Sequence, residues 1–380
     1  MRSGRLMLSM LALVVCDFAV ACSSSGTPVA PIRGGSEQTA SPTLPPTPTS
    51  TPTPAPAASP TPAPTASPTP VPGSAARVFT EYALAANSAP VQIAAGSDNA
   101  LWFTERGTSK IGRITTAGSI TEFSLAAGRR PYAIAAGPDG ALWFTEPDTD
   151  GTGGRIGRIT VGGTITESAV LATQFFTFLD FITPGADGAL WFTERSGTVT
   201  ADGIGRITTA MAITEYPIPF TTTRPNPAGI TAGSDGALWF SESGSSKIGR
   251  VTTGGLFTDY STAPYVGSPV GITSGPDKAL WFAFLGGAIG RITTTGTVTA
   301  FPTVSHSASN PNLTSITTGP DGALWFTNGG DNTIGRITTS GVATDYAIPT
   351  TSSRPLGIVT GSDNALWFTE NFSNKIGRVI

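Results

Sequence analysis

The sequence predicts an all-β protein, a seven-bladed β-propeller with four antiparallel strands in each blade. The tripeptide Leu-Trp-Phe occurs seven times and contains every tryptophan of the chain: Trp102, Trp143, Trp191, Trp239, Trp281, Trp325 and Trp367. Their spacings are 41, 48, 48, 42, 44 and 42 residues. Ile-Gly-Arg also occurs seven times, ending at Arg113, Arg158, Arg206, Arg250, Arg291, Arg336 and Arg378. Four short strand patterns in a unit of this length are typical of a propeller blade.

The unit around Trp143 illustrates the four predicted strands. The first covers residues 133–136, the second residues 141–146, the third residues 155–160 and the fourth residues 164–167. β-Branched and aromatic residues fill these runs, as is usual in strands. An aspartate, mostly followed by Gly or Asn, occupies the same place in the first turn of every unit, and the pair predicts turn hydrogen bonds and a positive φ: Asp98, Asp139, Asp187, Asp235, Asp277, Asp321 and Asp363.

The two ends of the repeat region predict that the ring closes on itself. The last unit ends at Ile380, within its third strand, and residues 78–82 have the pattern of the missing fourth strand. Pairing these segments would cover both open sheet edges. The ring therefore predicts that the first and last segments of the propeller lie side by side.

The periodic side chains are predicted to be structural. Both faces of a central strand are covered when blades pack face to face, so the Trp and Phe of Leu-Trp-Phe are expected in the core between blades. The arginines of Ile-Gly-Arg are expected to form hydrogen bonds between blades. His306, the one histidine of the chain, lies in a Ser/Asn/Pro segment and is interpreted as a surface residue.

The N-terminal residues 1–21 have the pattern of a bacterial lipoprotein signal peptide. Arg2 and Arg5 precede an almost uninterrupted apolar run at residues 6–15, which is too short to span a bilayer. Small residues then lead to Cys22, the predicted lipidation site, although ordinary signal-peptidase cleavage in this region is the alternative. The pattern predicts export to the cell envelope and attachment to a bacterial membrane through a lipid on Cys22.

Residues 22–76 are predicted to form a disordered stalk that precedes the propeller at residues 77–380. The stalk is rich in Pro, Thr and Ser and has too few large apolar side chains to bury a core. Cys16 and Cys22 are the only cysteines, so the propeller is expected to have no disulfide and no thiolate metal site. The net charge is −3 and no basic patch is visible, which argues against nucleic acid as a partner.

A candidate site follows from strand direction. The first strand of a blade starts where the second ends, so both ends should surround one mouth of the central channel. The first-strand positions are Val91, Tyr132, Asp180, Ala228, Val270, Thr314 and Leu356, with Glu105, Glu146, Glu194, Glu242, Phe284, Asn328 and Glu370 as their second-strand partners.

The predicted ligand-binding rim comprises Glu105, Tyr132, Glu146, Asp180, Glu194, Glu242, Phe284, Asn328, Arg354 and Glu370. A mixed apolar and charged rim suits a small molecule or a peptide segment. In the alternative interpretation, the glutamates only accept hydrogen bonds from neighbouring loops.

Residues 229–242 followed by residues 247–252 carry the clearest copy of the repeat. This unit resembles the streptogramin B lyases, also called virginiamycin B lyases, and the resemblance covers residues 78–380. It implies a seven-bladed propeller and ring opening of a cyclic depsipeptide by elimination, with a histidine base and a magnesium ion. The positions that correspond to the family's functional residues are Thr314, Arg354, Leu356 and Glu370, of which only Glu370 has the residue type of the family.

The sequence therefore predicts a binding module for a small molecule, glycan or protein, with no catalytic residue, no metal ligand and no cofactor assigned. Magnesium would be expected only if the protein is a lyase. Two enzymatic alternatives stay open. One is a lyase with a different base, and the other is a metal-dependent, lactonase-like hydrolase that uses carboxylates such as Glu105 and Glu370.

Overall fold

The computed structural model of the protein describes residues 77–147, 153–169, 171, 178–195, 202–220, 222–265, 267–303 and 311–380. Every element in these ranges is a β-strand. The ranges accordingly contain no helix long and apolar enough to cross a membrane. The predicted signal peptide, Cys22, the predicted stalk and His306 lie outside the described residues.

The strands form seven four-stranded antiparallel sheets, as predicted. Blades 1 to 3 are β2 (Pro90–Ala95), β3 (Leu101–Glu105), β4 (Lys110–Ile114) and β5 (Ile120–Ser124); β6 (Ile134–Ala136), β7 (Leu142–Glu146), β8 (Arg155–Ile159) and β9 (Ile165–Glu167); and β10 (Phe178–Pro184), β11 (Leu190–Arg195), β12 (Gly203–Ile207) and β13 (Ile213–Pro217). Blades 4 and 5 are β14 (Pro227–Ala232), β15 (Leu238–Glu242), β16 (Lys247–Val251) and β17 (Phe257–Ser261); and β18 (Pro269–Ser274), β19 (Leu280–Phe284), β20 (Ala288–Ile292) and β21 (Val298–Pro302). Blades 6 and 7 are β22 (Leu313–Thr318), β23 (Leu324–Asn328), β24 (Thr333–Ile337) and β25 (Ala343–Ala347); and β26 (Pro355–Thr360), β27 (Leu366–Glu370), β28 (Lys375–Val379) and β1 (Phe79–Ala83).

The first strands of the blades surround the axis and form the inner wall of the ring. Each contacts the first strand of the next blade, and β26 contacts β2 to complete the circle. In six of the seven blades, a hydroxyl near the end of the second strand donates a hydrogen bond to a carbonyl of the next blade. Thr104 Oγ1 donates to the Tyr132 carbonyl at 2.8 Å, and Thr369 Oγ1 donates to the Val91 carbonyl at 2.8 Å. Ala283 lacks this hydroxyl in blade 5, where the repeat is broken.

Closure by the N-terminal strand is confirmed. β1 pairs with β28 in a register that runs from Phe79 opposite Val379 to Ala83 opposite Lys375. The Tyr82 ring stacks on Trp367 with 5.6 Å between ring centroids. The first and last strands thus complete blade 7 as one sheet.

The aromatic repeat forms the core between blades, as predicted. Trp102 of blade 1 packs with Leu142 and Phe144 of blade 2, whereas Phe103 packs with Trp367 of blade 7. All seven tryptophans are at most 1% exposed. Because side chains alternate across a strand, one Leu-Trp-Phe motif contributes to two interfaces at once.

The arginines of Ile-Gly-Arg bind within their own blade, so the predicted hydrogen bonds between blades are wrong. Asp98 Oδ1 accepts from Trp102 Nε1 at 3.1 Å, and its Oδ2 accepts from Arg113 Nε at 2.7 Å. The same pair of bonds recurs in all seven blades. Trp102 and Arg113 are cross-strand partners, which places both donors beneath the same turn. The positive φ belongs to the residue after the aspartate, such as Asn99 at 60°.

Candidate functional site at the channel mouth

Strand starts and strand ends meet at one end of each blade, with a register that differs by one residue from the prediction. Glu105 lies opposite Pro90 rather than Val91, and Glu370 lies opposite Pro355 rather than Leu356. A β-bulge follows each of these prolines and shifts the register, which the repeat pattern does not reveal. We call this end of the ring the channel mouth.

The five glutamates of the predicted rim are buried, none more than 3% exposed: Glu105, Glu146, Glu194, Glu242 and Glu370. Three of them accept a hydrogen bond from a hydroxyl in the turn that follows. Thr108 Oγ1 donates to Glu105 at 2.7 Å, and Ser373 Oγ donates to Glu370 at 2.9 Å. Ser245 Oγ donates to Glu242 at 2.5 Å. Such contacts agree with the alternative interpretation, in which the glutamates bind neighbouring loops.

These carboxyls have unusual protonation behaviour. One side-chain oxygen of each is buried without a hydrogen-bond partner among the described residues, and both oxygens of Glu146 are. Burial, helped by the charge of Glu215, raises the pKa of Glu194 to about 8. Burial also raises the pKa of Glu146 and of Glu370 to about 7. Glu146, Glu194 and Glu370 therefore take up a proton near neutral pH, because burial removes the water that would solvate the charged carboxylate.

Asp180, Phe284 and Asn328 also lie behind the channel mouth. Asp180 is buried and forms an ion pair with Arg195, whose Nη2 donates to Asp180 Oδ1 at 2.9 Å. Phe284 packs against Phe282 with 5.1 Å between ring centroids. Asn328 Nδ2 donates to Asp331 Oδ2 at 2.9 Å. Each contact lies within the residue's own blade and stabilises that blade.

Two of the predicted rim residues, Tyr132 and Arg354, are half-buried and partly reach solvent. The Tyr132 ring meets Phe181 edge-on, with 6.4 Å between centroids. The Arg354 guanidinium lies 4.7 Å from the centroid of the exposed Phe372 ring. Arg354 has a φ of 51°, in the left-handed region that costs energy for a non-glycine residue.

Sequence reasoning missed Arg106 and Phe372 at the channel mouth. The Arg106 guanidinium carbon is 5.7 Å from the centroid of Tyr132, in the next blade. A signal was present, because Thr-Glu-Arg occurs at the end of the Leu-Trp-Phe strand pattern in both blade 1 and blade 3, which marks Arg106 as the counterpart of Arg195. We define the mouth cluster as Arg106, Tyr132 and Arg354.

The positions that correspond to the lyase residues do not fit a magnesium ion. Thr314 Oγ1 hydrogen-bonds the Leu356 carbonyl at 3.1 Å, Leu356 has an aliphatic side chain and Arg354 carries a positive charge. Glu370 is fully buried and bonded to its own turn. Among the described residues, no group of three His, Cys, Asp or Glu side chains is placed to hold a metal. Magnesium prefers several oxygen ligands and water, which these four residues do not offer.

Comparisons with known proteins place this geometry in a family. The model of the virginiamycin B lyase family matches residues 74–267 and 226–380. A streptogramin B lyase structure is 34% identical, with a TM-score of 0.71 over 80% of this chain and 97% of that chain. The virginiamycin B lyase from Staphylococcus aureus is 36% identical, with a TM-score of 0.71 over 80% of this chain and 99% of that chain.

A catalytically inactive histidine-to-alanine variant of the same S. aureus enzyme, solved with quinupristin, has the same identity, TM-score and coverage. No curated protein sequence matches the chain. The family model spans nearly the whole propeller, and both lyases are covered almost end to end. The chain belongs to the virginiamycin B lyase family.

Proposed function

We propose that this family member binds a ligand at the channel mouth and does not open a streptogramin ring. The observation that carries the proposal is the set of residues at the four positions corresponding to the lyase residues. A guanidinium, an aliphatic side chain and a hydrogen-bonded hydroxyl occupy three of them, and the fourth is a buried carboxyl. None of the first three can accept a proton near neutral pH.

The chemistry of the elimination requires a base near the substrate. Ring opening removes the proton α to the ester carbonyl, so the base must reach that carbon directly or through one water. Glu370 has a pKa raised to about 7 by burial, but its carboxyl is fully buried beneath the turn that contains Ser373. The S. aureus relative that binds quinupristin is inactive after a single histidine is replaced. We therefore expect binding without turnover.

Incubation with quinupristin tests this proposal. We expect the antibiotic to stay cyclic after prolonged incubation with the protein and magnesium, whereas the S. aureus lyase opens it in parallel. Elimination leaves the mass unchanged, so the two forms must be separated by liquid chromatography and fragmented. A ring-opened product that accumulates in proportion to the protein would contradict the proposal.

The enzymatic alternatives receive less support from the described residues. A hydrolase with a carboxylate-held metal needs several carboxyls around one point, but the five glutamates belong to five separate second strands. Each is buried against its own blade, and Asp180 is already paired with Arg195. We therefore assign the mouth a binding role.

We also propose that the propeller is exported and attached to a bacterial membrane through a lipid on Cys22. Support comes from the basic start, the apolar residues 6–15 and the small residues before Cys22. In a bacterial host, Cys22→Ser is expected to move the protein from the membrane fraction to the soluble fraction, measured by immunoblot. Cys16→Ser is the matched control, and equal membrane retention of both variants would refute a lipid on Cys22.

A further inference from the structure

Two arginines at the channel mouth have no anionic partner among the residues that the structure describes. Within the described residues, neither Arg106 nor Arg354 makes an ion pair or a hydrogen bond through its side chain, and Arg106 Nε is buried without an acceptor. A buried donor that lacks an acceptor costs about 1–3 kcal/mol. Both guanidiniums stay charged at any physiological pH. An incoming acceptor would therefore gain the interaction that the protein itself leaves unmade.

Arg195 occupies the equivalent position in blade 3 and has a carboxylate partner. It follows Glu194 at the end of the second strand of blade 3, as Arg106 follows Glu105 in blade 1. Arg195 binds both oxygens of Asp180, its first-strand neighbour. Blade 1 has Val91 at the position of Asp180, so its first strand offers Arg106 no carboxylate, and Arg106 lies over Tyr132 of the next blade.

Arg354 reaches the same part of the channel mouth from blade 7. Burial lowers the pKa of Arg354, and the charge of Tyr132 acts in the opposite direction. Asn371 joins blades 7 and 1 here, because its side-chain Nδ2 donates to the Pro90 carbonyl at 3.0 Å. Asn371 N also donates to the Arg354 carbonyl at 3.2 Å. Arg106 and Arg354 thus lie on neighbouring blades, Arg106 over the Tyr132 ring and Arg354 over the Phe372 ring.

Among the described residues, Glu105 and Glu370 end the second strands of blades 1 and 7 but form no ion pair with Arg106 or Arg354. Both carboxyls are fully buried, and each accepts a hydrogen bond from a hydroxyl in the turn that follows it, Thr108 for Glu105 and Ser373 for Glu370. Burial raises the pKa of Glu105, and it raises the pKa of Glu370 to about 7. The mouth cluster therefore combines two cationic groups with the flat face of a tyrosine.

We propose that Arg106 and Arg354 form an anion-binding subsite that takes the oxyanion of a small ligand beside the Tyr132 ring. The inference rests on the proposed binding function and adds the chemical class of the ligand. A planar guanidinium presents paired N–H donors that match a carboxylate or a phosphate. A flat group attached to that oxyanion can pack on Tyr132.

Three probes of similar shape test the subsite: 4-fluorobenzoate, 4-fluorophenyl phosphate and the neutral 4-fluorobenzamide, each followed by ¹⁹F NMR. We expect the protein to bind at least one anion about ten-fold more tightly than the amide. The two anions distinguish a carboxylate ligand from a phosphate ligand. Arg106→Gln and Arg354→Gln are each expected to remove most of this preference.

Lys278→Gln is the matched control, because Lys278 is exposed in a first turn, at the end of its blade opposite the channel mouth, and loses the same charge. Raising the salt concentration should weaken anion binding to the unmodified protein but leave the affinity for the amide unchanged. This test does not depend on whether a variant folds. Equal affinity for anions and amide, or no anion binding at all, would overturn the subsite. Failure of the proposed function would appear separately, as ring-opened quinupristin.

Discussion

A propeller that lacks β1 is expected to lose its cooperative thermal unfolding transition. Deleting residues 78–83 removes the strand paired with β28, the stack of Tyr82 on Trp367 and the ion pair between Glu81 and Lys375. Each backbone hydrogen bond contributes about 1 kcal/mol, and each aromatic pair adds about 0.5–1.5 kcal/mol beyond its area. The sum is comparable with the ~5–15 kcal/mol net stability of a typical protein.

Circular dichroism and calorimetry on two truncated proteins measure this effect. The control begins at Arg77 and keeps β1, so it loses the predicted stalk but none of the sheet. We expect the control to unfold in one sharp transition and the deletion to aggregate, since β28 then presents an unpaired edge. A deletion that unfolds at the same temperature as the control would show that β1 is not needed for ring closure.

The stability of the propeller is expected to fall as the pH rises from about 5 to about 8.5. Burial raises the pKa of Glu194 from its ordinary 4.5 to about 8 and that of Glu146, Glu242 and Glu370 to about 7. Between these values the folded state holds protons that the unfolded chain has released. The stabilisation is complete below pH 4.5 and is lost as the pH passes through the folded values.

Each unit of pKa difference corresponds to about 1.4 kcal/mol, so the buried glutamates together should change the free energy of unfolding by several kcal/mol. The turn aspartates have the opposite effect on the free energy of unfolding, but only at lower pH. Burial raises the pKa of Asp98, but its bonds to Arg113 and Trp102 outweigh burial and leave it below 3.8. The window from pH 5 to 8.5 therefore reports mainly on the glutamates.

Glu194→Gln is expected to flatten this pH dependence and to stabilise the protein at pH 8.5. The fold accepts an amide at this place, since blade 6 has Asn328 there. Glu122→Gln, a partly exposed partner of Lys110, loses the same charge and serves as the control. Chemical unfolding at several pH values measures both variants, and a pH slope that Glu194→Gln leaves unchanged would contradict the assignment.

The local sequence was sufficient to predict the architecture because every blade repeats the same turn and strand motifs. Turn aspartates, Leu-Trp-Phe and Ile-Gly-Arg specify where strands begin and end, and the strand pattern around Phe79 identifies the partner of β28. Strand pairing depends on hydrophobic alternation and turn chemistry, both of which are readable along the chain. The one-residue register shift at Pro90 was not predicted, because a β-bulge depends on backbone geometry rather than on residue type.

The fold, the ring closure and the end of each blade where the channel mouth lies were thus predictable from the amino-acid order. Which mouth residues are buried and which are paired became visible only in the assembled propeller. Arg106 and Arg195 both follow Thr-Glu, yet one lies over Tyr132 and the other binds Asp180. Burial and ion pairing arise between strands and blades that are distant in sequence, so no local pattern can encode them.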